Sequence, residues 1–147
     1  MQTRRLVLLV FLFGTWLTAN AAPNLSGKWK FNKDKSDMGA QSNIGSLVWE
    51  IDHKEPKISI RIAQDELDLA ISYFTDGREG TGTGFGDAEP KSRAEWKGDK
   101  LQTKVDMGEQ KISSSWSLSA DGKVLTIERV REAAMGNLKQ KMVFEKQ

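Results

Sequence analysis

The feature that most constrains the fold of this 147-residue chain is a long series of short segments in which apolar and polar residues alternate. Residues 58–62, Ile-Ser-Ile-Arg-Ile, are one example, and comparable segments recur as far as residue 144. An alternation of period two places one face of a β-strand in a core and the other face in water. Between such segments, Asp76-Gly77 and Asp121-Gly122 are typical of tight β-hairpins. The pattern therefore predicts an antiparallel β protein.

The order of these segments indicates how the strands are joined. We expect about ten strands, with a long polar loop at 32–45 and a last connection at 132–137. No segment after residue 21 carries a helical period. Since nearly every other connection is a tight hairpin, and since closure removes the exposed edges of a sheet, we predict an all-β fold. Its architecture is a single antiparallel up-and-down β-barrel of about 8–10 strands.

Residues 1–21 have the pattern of a cleaved signal peptide. Arg4 and Arg5 form a positive start, residues 6–17 are mostly apolar, and Ala19-Asn20-Ala21 offers small residues for cleavage. The apolar run is too short to span a bilayer comfortably, so we expect no membrane span after cleavage. The prediction is a barrel domain over residues 22–147 that is exported, either to the periplasm or to the medium.

Charge and cysteine content exclude several classes of function. Without Arg4 and Arg5, the basic residues equal the 20 acidic ones in number, so the exported part is formally neutral. A nucleic-acid partner normally requires a basic excess, and we therefore expect none. The absence of cysteine removes disulfides and thiol catalysis. We expect one hydrophobic core, one domain and a monomer.

Several motifs carry a resemblance to a known family. Gly27-Lys28-Trp29 resembles the Gly-x-Trp signature of lipocalins, and together with 76–78, 116–127 and 143–146 the chain is similar to small exported bacterial lipocalin-like proteins of the calycin type. This resemblance implies that Gly27 and Trp29 belong to a plug at the closed end of the barrel. It also implies that an arginine from a late strand packs across the indole ring. Arg129 is the expected counterpart, with Arg131 as the alternative.

The resemblance also implies room for a small apolar ligand inside the barrel. Ligand pockets combine an apolar lining with a few polar groups, and the alternation places aromatic and hydroxyl side chains in the inward phase. In segment 80–86, glycines alternate with Thr81, Thr83 and Phe85, which is typical of a strand with one bare face, and we place the two threonines in the inward phase. The glycine face could instead let the barrel bend or leave room for a ligand. The candidate cavity residues are Trp49, Tyr73, Thr81, Thr83, Trp96, Thr103, Ser114 and Trp116.

No catalytic, metal or cofactor motif stands out. His53 is the only histidine, has no Gly-x-Ser-x-Gly partner and lacks a second haem ligand. The polar segment after Asn32 lacks the glycine and glutamate of a calcium loop, and 80–86 lacks the lysine of a phosphate loop. We therefore expect a non-catalytic binding protein without metal or cofactor. The alternative is a packed barrel, with the aromatic rings as ordinary core, that acts through its outer surface as a protein-interaction or envelope-associated factor.

Overall fold

The computed structural model describes residues 21–41 and 43–147. The signal peptide expected at 1–21 lies outside the described residues, apart from Ala21, and stays a prediction. The described residues contain no helix that is both long and apolar enough to cross a membrane. Ten β-strands are present: β1 Gly27–Phe31, β2 Leu47–Lys54, β3 Lys57–Gln64, β4 Leu67–Phe74, β5 Gly80–Thr83, β6 Lys91–Lys97, β7 Lys100–Asp106, β8 Lys111–Leu118, β9 Val124–Ala133 and β10 Gly136–Lys146.

The ten strands form one closed barrel in which each strand pairs antiparallel with its neighbours in the sequence. β1 closes the barrel because it pairs with both β2 and β10. Phe31 on β1 lies opposite Phe144 on β10, while Gly27 lies opposite Ile51 on β2. The predicted all-β, up-and-down barrel is thereby confirmed, including the number of strands.

Two boundaries differ from the expectation. β9 and β10 continue to Ala133 and from Gly136, so the connection expected at 132–137 shrinks to a turn at 134–135. Residues 132–137 lack the alternation of a strand, which predicted a loop. This end of the hairpin lies at the rim of the barrel, where neither face of a strand has to be apolar. β5, in contrast, ends at Thr83, and residues 84–90 form a loop.

The orientation expected for Thr81 and Thr83 is wrong. The register aligns Gly82 with Ile71 and Ile60, which are buried, whereas Thr83 aligns with Ala70 on the outer face. Both threonines are exposed. The glycines of β5 therefore face the interior and the threonines face the solvent, opposite to the predicted phase.

Gly80 explains why this phase is the one adopted. A Cβ atom at Gly80 would lie 1.9 Å from the carbonyl oxygen of Ser72 on β4. The Ser92 hydroxyl of β6 reaches across the same space and donates to that oxygen at 2.5 Å. Only glycine leaves room for this contact. The face of β5 that carries the glycines therefore lies toward the barrel interior, and the face that carries the threonines lies toward solvent.

The barrel has a closed end and a mouth. The closed end carries the turns 55–56, 75–79, 98–99 and 119–123, and the mouth carries the turns 65–66, 84–90, 107–110 and 134–135 together with the β1–β2 loop. Trp29 lies fully buried at the closed end, and its Nε1 donates to the Leu25 carbonyl at 3.0 Å. The core continues from there through Phe31, Phe144 and Leu125.

The cation on Trp29 is a lysine rather than the expected Arg129 or Arg131. Lys146 Nζ lies 5.7 Å from the centre of the Trp29 ring, within cation–π range. Gly27 permits this approach: its φ of +145° suits glycine, and a Cβ there would lie 2.7 Å from Lys146 Cε. Arg129 pairs with Gln140, six residues before Lys146 on β10 and thus roughly 20 Å away along the strand.

Candidate ligand-binding site

A cavity of about 150 Å³ lies inside the barrel on the mouth side of the core. Its wall is mostly apolar, with a few polar side chains among aliphatic and aromatic ones. That composition is typical of sites for small molecules. The apolar wall includes Ile44, Leu47, Ile62, Leu69, Phe85 and Met107, and the polar lining includes Gln64, Ser114 and Arg129.

Polar side chains in the wall and next to it follow the strand register. Across β7 to β10, one register row joins Thr103, Ser114, Arg129 and Gln140, and we call it the polar row. The neighbouring row toward the closed end is fully apolar and almost completely buried; it consists of Leu101, Trp116, Ile127 and Met142. The polar row is therefore a single belt of hydrogen-bonding groups above an apolar base.

Arg129 is the charged member of the polar row. Its Nε donates to Gln140 Oε1 at 2.6 Å. Within residues 21–41 and 43–147, neither Nη atom has a hydrogen-bond acceptor and the side chain forms no ion pair with a carboxylate. Burial, followed by repulsion from Arg131, lowers the pKa of Arg129 to about 10, and Tyr73 opposes this shift. The guanidinium is thus still charged at neutral pH, and it faces the cavity without a counterion.

The β1–β2 loop closes part of the mouth above the polar row. The amide of Gln140 donates to the Met38 carbonyl at 3.1 Å and to Gln41 Oε1 at 3.3 Å. Arg131 donates to the same oxygen of Gln41. Met38 itself is 7% exposed, so this loop packs into the barrel rather than standing away from it.

Aromatic side chains form the floor of the cavity. The rings of Trp49 and Trp116 lie 5.5 Å apart, those of Trp49 and Phe144 4.6 Å apart, and those of Tyr73 and Trp116 5.7 Å apart. These distances are within the range of favourable aromatic pairs. Burial raises the pKa of Tyr73 well above its ordinary value, so its hydroxyl remains protonated at neutral pH. We call these four residues the aromatic floor.

One polar group of the aromatic floor lacks a partner. Trp49 lines the cavity and is 7% exposed. In the described part of the chain, its Nε1 is the one buried side-chain nitrogen or oxygen without a hydrogen-bond partner. A buried donor of this kind normally finds an acceptor in the protein, in water or in a ligand. By comparison, Trp116 Nε1 donates to Thr103 Oγ1 at 3.2 Å.

The structure brings together half of the predicted cavity residues. Trp49, Tyr73, Ser114 and Trp116 line the cavity. Thr103 is buried behind this wall, where it accepts the Trp116 hydrogen bond. Thr81 and Thr83 lie outside the barrel, as described above, and Trp96 lies at the closed end.

We did not predict from the sequence that three polar residues lie at the mouth, above the cavity: Gln41, Arg131 and Gln140. Gln140 carried a usable signal, because it is a polar residue in the inward phase of β10, between Leu138 and Met142. Arg129 carried the same signal on β9, but the family resemblance assigned it to Trp29. Gln41 carried none, since it lies in a loop without periodicity.

Trp96 belongs to a polar cluster at the closed end. Its Nε1 donates to Glu55 Oε1 at 2.7 Å, and His53 Nε2 lies 2.8 Å from the same oxygen. The Leu25 N–H donates to His53 Nδ1 at 3.1 Å, so the neutral ring carries its proton on Nε2, toward Glu55. Burial opposes ionisation of Glu55, but hydrogen bonds from Thr75, His53 and Trp96 outweigh it and lower its pKa.

The polar groups of this cluster already have hydrogen-bond partners within the protein, and the cluster contains one carboxylate. In residues 21–41 and 43–147, no group of three or more histidine or acidic side chains is placed to hold a metal ion. The interior cavity is therefore the better candidate for a binding site.

Comparisons with known proteins agree with the fold. No family model and no curated protein matches this sequence. Solved structures do match. Zebrafish ileal bile acid-binding protein complexed with cholic acid has a TM-score of 0.63 at 15% identity, covering 83% of this chain and 98% of that one. Human cRBP IV has a TM-score of 0.65 at 16% identity, covering 85% and 99%. The REP1-NXSQ fatty acid transporter has a TM-score of 0.64 at 15% identity, covering 84% and 96%. The chain thus has the fold of lipocalin-like and fatty-acid-binding-protein-like barrels.

Proposed function

We propose that this protein is a non-catalytic binding protein that holds a small, largely apolar acid inside its barrel. The apolar body of the ligand occupies the cavity, and its carboxylate lies against Arg129. The observation that carries this proposal is the guanidinium of Arg129, which faces a mostly apolar cavity with its Nη atoms unpaired in the described part of the chain.

The physical argument concerns the energy of that charge. A half-buried cation without a counterion destabilises a fold, because desolvation is not offset by attraction. A carboxylate beside Arg129 would supply the missing attraction and accept two charge-assisted hydrogen bonds from its planar fork. The rest of the wall favours hydrocarbon. An amphipathic acid therefore satisfies both parts of the site at once.

The structural relatives support the same class of ligand. One of them is a bile acid-binding protein with cholic acid bound, and another is a fatty acid transporter. They are binding and transport proteins, which supports a role without catalysis for this barrel. At these identities the fold carries over, and the ligand is our proposal.

We also propose that the protein is exported, to the periplasm or the medium. Support comes from the sequence of residues 1–21, which combines a positive start, an apolar stretch and small residues before Ala22. N-terminal sequencing of the protein recovered from a fractionated host would test this. A chain that starts at Ala22 outside the cytoplasm is the expected result, and an intact Met1 would contradict it.

Titration calorimetry with octanoate and octanol tests the binding function. We expect octanoate to bind one molecule per barrel, about tenfold more tightly than octanol, because only the acid pairs with Arg129. Arg129→Gln should weaken octanoate binding by about tenfold or more and leave octanol unchanged. Arg93→Gln is the matched control, since Arg93 is an exposed arginine that bonds the Gly77 carbonyl.

Two results would overturn this function. One is that neither octanoate nor any other small acid binds, with native mass spectrometry showing a bare chain. The other is that Arg129→Gln and Arg93→Gln bind octanoate equally well. Either result would favour the outer surface as the functional part, and the fully exposed Met135 at the mouth would be the first place to look for a protein partner.

A further inference from the structure

We propose that the acid bound by this barrel is compact: a ring-sized apolar body with a carboxylate at Arg129 and a second hydrogen-bond acceptor beside Trp49. This inference rests on the binding function proposed above and deepens it by naming the ligand class. It separates this barrel from carriers of long acyl chains and of fused-ring molecules. The argument uses the volume of the cavity, its two boundaries and its unpaired donor.

The volume sets the first limit. The cavity measures about 150 Å³. An apolar cavity of about this volume accepts a molecule the size of benzene, while sites for drug-sized ligands start at about 300 Å³. The apolar body of the ligand is therefore a single ring or a chain of about six to eight carbons.

The floor sets the second limit. Trp116 is 2% exposed and Phe144 fully buried, and both rings contact Trp49. Below them, the space is taken by the fully buried Trp29 and Leu125. Because protein cores are close-packed, a longer ligand cannot extend toward the closed end without displacing large aromatic side chains.

The mouth sets the third limit. The β1–β2 loop is fastened to β10 by the backbone bridge between Asp37 and Lys141, with N–H to carbonyl distances of 2.8 and 2.6 Å. Gln140 holds the Met38 carbonyl of the same loop, and Ile44 lines the cavity from above. A chain that projected past this loop would have to break these contacts. The cavity is thus bounded by the aromatic floor and, over part of the mouth, by the β1–β2 loop.

The unpaired indole of Trp49 gives the ligand its second polar feature. Trp49 lies on β2, and Arg129 lies on β9, with β1 and β10 between them in the barrel wall. A pure hydrocarbon would leave the Trp49 N–H without an acceptor, which weakens binding because a buried donor stays unpaired. An oxygen or nitrogen at the end of the ring away from the carboxylate would accept from it.

Four acids of different size test compactness: 3-phenylpropanoate, octanoate, palmitate and cholate. We expect the first two to bind about tenfold or more tighter than the last two, as measured by calorimetry. Tighter binding of palmitate or cholate would overturn the compact ligand while leaving the binding function intact. Failure of all four to bind would overturn the binding function itself.

Enlarging the cavity provides a second test of size. Ile71→Ala removes apolar atoms from the wall on β4. It should raise the affinity for decanoate relative to octanoate by about threefold, because the longer chain fills the new space. An unchanged ratio would mean that the wall does not limit the ligand and would overturn the size argument. Since both acids are measured on the same variant, a general loss of stability does not affect the ratio.

The second acceptor is tested with 3-(4-hydroxyphenyl)propanoate against 3-phenylpropanoate. The wild-type protein should prefer the phenol by about fivefold, and Trp49→Phe should abolish that preference. Trp96→Phe is the matched control, because it also removes an indole N–H but lies at the closed end. The assignment of the second acceptor would be overturned if Trp49→Phe kept the preference for the phenol, or if the wild-type protein showed no such preference.

Discussion

The closed end and the mouth of this barrel differ in how they treat buried polar groups. At the closed end, Trp29 Nε1 donates to Leu25, and both ring nitrogens of His53 are hydrogen-bonded. Lys146 covers the Trp29 ring from outside. Each polar group named here has a partner, and the side chains around it are close-packed.

At the mouth, by contrast, polar groups remain unsatisfied in the described part of the chain. Arg129 has a hydrogen bond at Nε but none at Nη, and Trp49 Nε1 has no acceptor. Both residues line a cavity of about 150 Å³, so their side chains are not close-packed on that side. Both features lower stability, since empty space loses dispersion contacts, the buried Trp49 donor loses solvation, and the charge of Arg129 is partly desolvated.

The difference indicates a division of labour within one barrel. On the function proposed above, the closed end stabilises the fold, and the mouth gives up stability for recognition. This is a common relation between function and stability, because groups that are arranged for a ligand are unsatisfied without it. The following predictions test whether the division holds, beginning with the largest effect.

Removing the ring at the closed end should have the largest effect on stability. Trp29→Ala deletes a fully buried side chain together with its hydrogen bond to Leu25, and it should lower the free energy of unfolding by about 3–5 kcal/mol. Urea denaturation measures this. Leu67→Ala, at a side chain that is 58% exposed, should change stability by less than about 0.5 kcal/mol. A loss of less than about 1 kcal/mol for Trp29→Ala would show that the closed end does not carry the stability.

Removing the charge at the mouth should have the opposite sign. Burial and repulsion from Arg131 lower the pKa of Arg129 in the folded state from its ordinary value to about 10, so its charge costs stability at every pH below about 10. That cost fades as pH rises above about 10. Arg129→Gln should therefore raise the free energy of unfolding at pH 7 by about 1–2 kcal/mol, after the loss of its bond to Gln140.

Urea denaturation of the ligand-free protein at pH 7 checks this, with Arg93→Gln as the exposed control. The same Arg129→Gln variant should lose acid binding, so that stability and affinity move in opposite directions. A destabilised Arg129→Gln protein would mean that the arginine is structural, and the contrast between the two ends would then fail.

The smallest predicted effect is a pH dependence at the closed end. The pKa of Glu55 is lowered below its ordinary 4.5, because the bonds from Thr75, His53 and Trp96 outweigh burial. Its contribution to stability is therefore present at neutral pH and is lost as pH falls through the lowered pKa, below 4.5. Since Glu55 is exposed to solvent, screening limits the contribution to below about 1 kcal/mol.

Thermal unfolding of Glu55→Gln at pH 7 and pH 3 measures that contribution. The variant should melt below the wild type at pH 7, and this difference should be smaller at pH 3, because Glu55 loses its charge as pH falls through its lowered pKa. Glu66→Gln, in the β3–β4 turn at the mouth, should match the wild type at both values. An equal difference between Glu55→Gln and the wild type at the two pH values would exclude ionisation as the cause.

Sequence reasoning succeeded where local pattern determines structure. The alternation in 58–62 and 101–107 predicted which side chains of β3 and β7 face the core, because burial of one face fixes the phase of a strand. It failed at β5, where glycines and threonines alternate and neither set is apolar enough to choose a face. There the close contact between Ser72 and Ser92 across Gly80 decided the phase.

The site was only partly visible for a related reason. Trp49, Tyr73, Ser114 and Trp116 could be predicted as cavity residues, since each lies in the inward phase of its strand. The inward phase of Arg129 was visible in the sequence, but its neighbours Ser114 and Gln140 could not be predicted, because they are set by the pairing register of three strands. The same register placed Lys146, and not an arginine, on Trp29.

The sequence by itself determined that this chain forms a closed all-β barrel, because hydrophobic alternation and hairpin signals act over a few residues each. Only the tertiary structure decided that Arg129 and Trp49 share one small cavity, that Thr81 and Thr83 lie outside it, and that Gln41 is fastened above it. Those relations depend on which residues become opposite one another when the barrel closes. That pairing is a property of the whole sheet, and no single segment contains it.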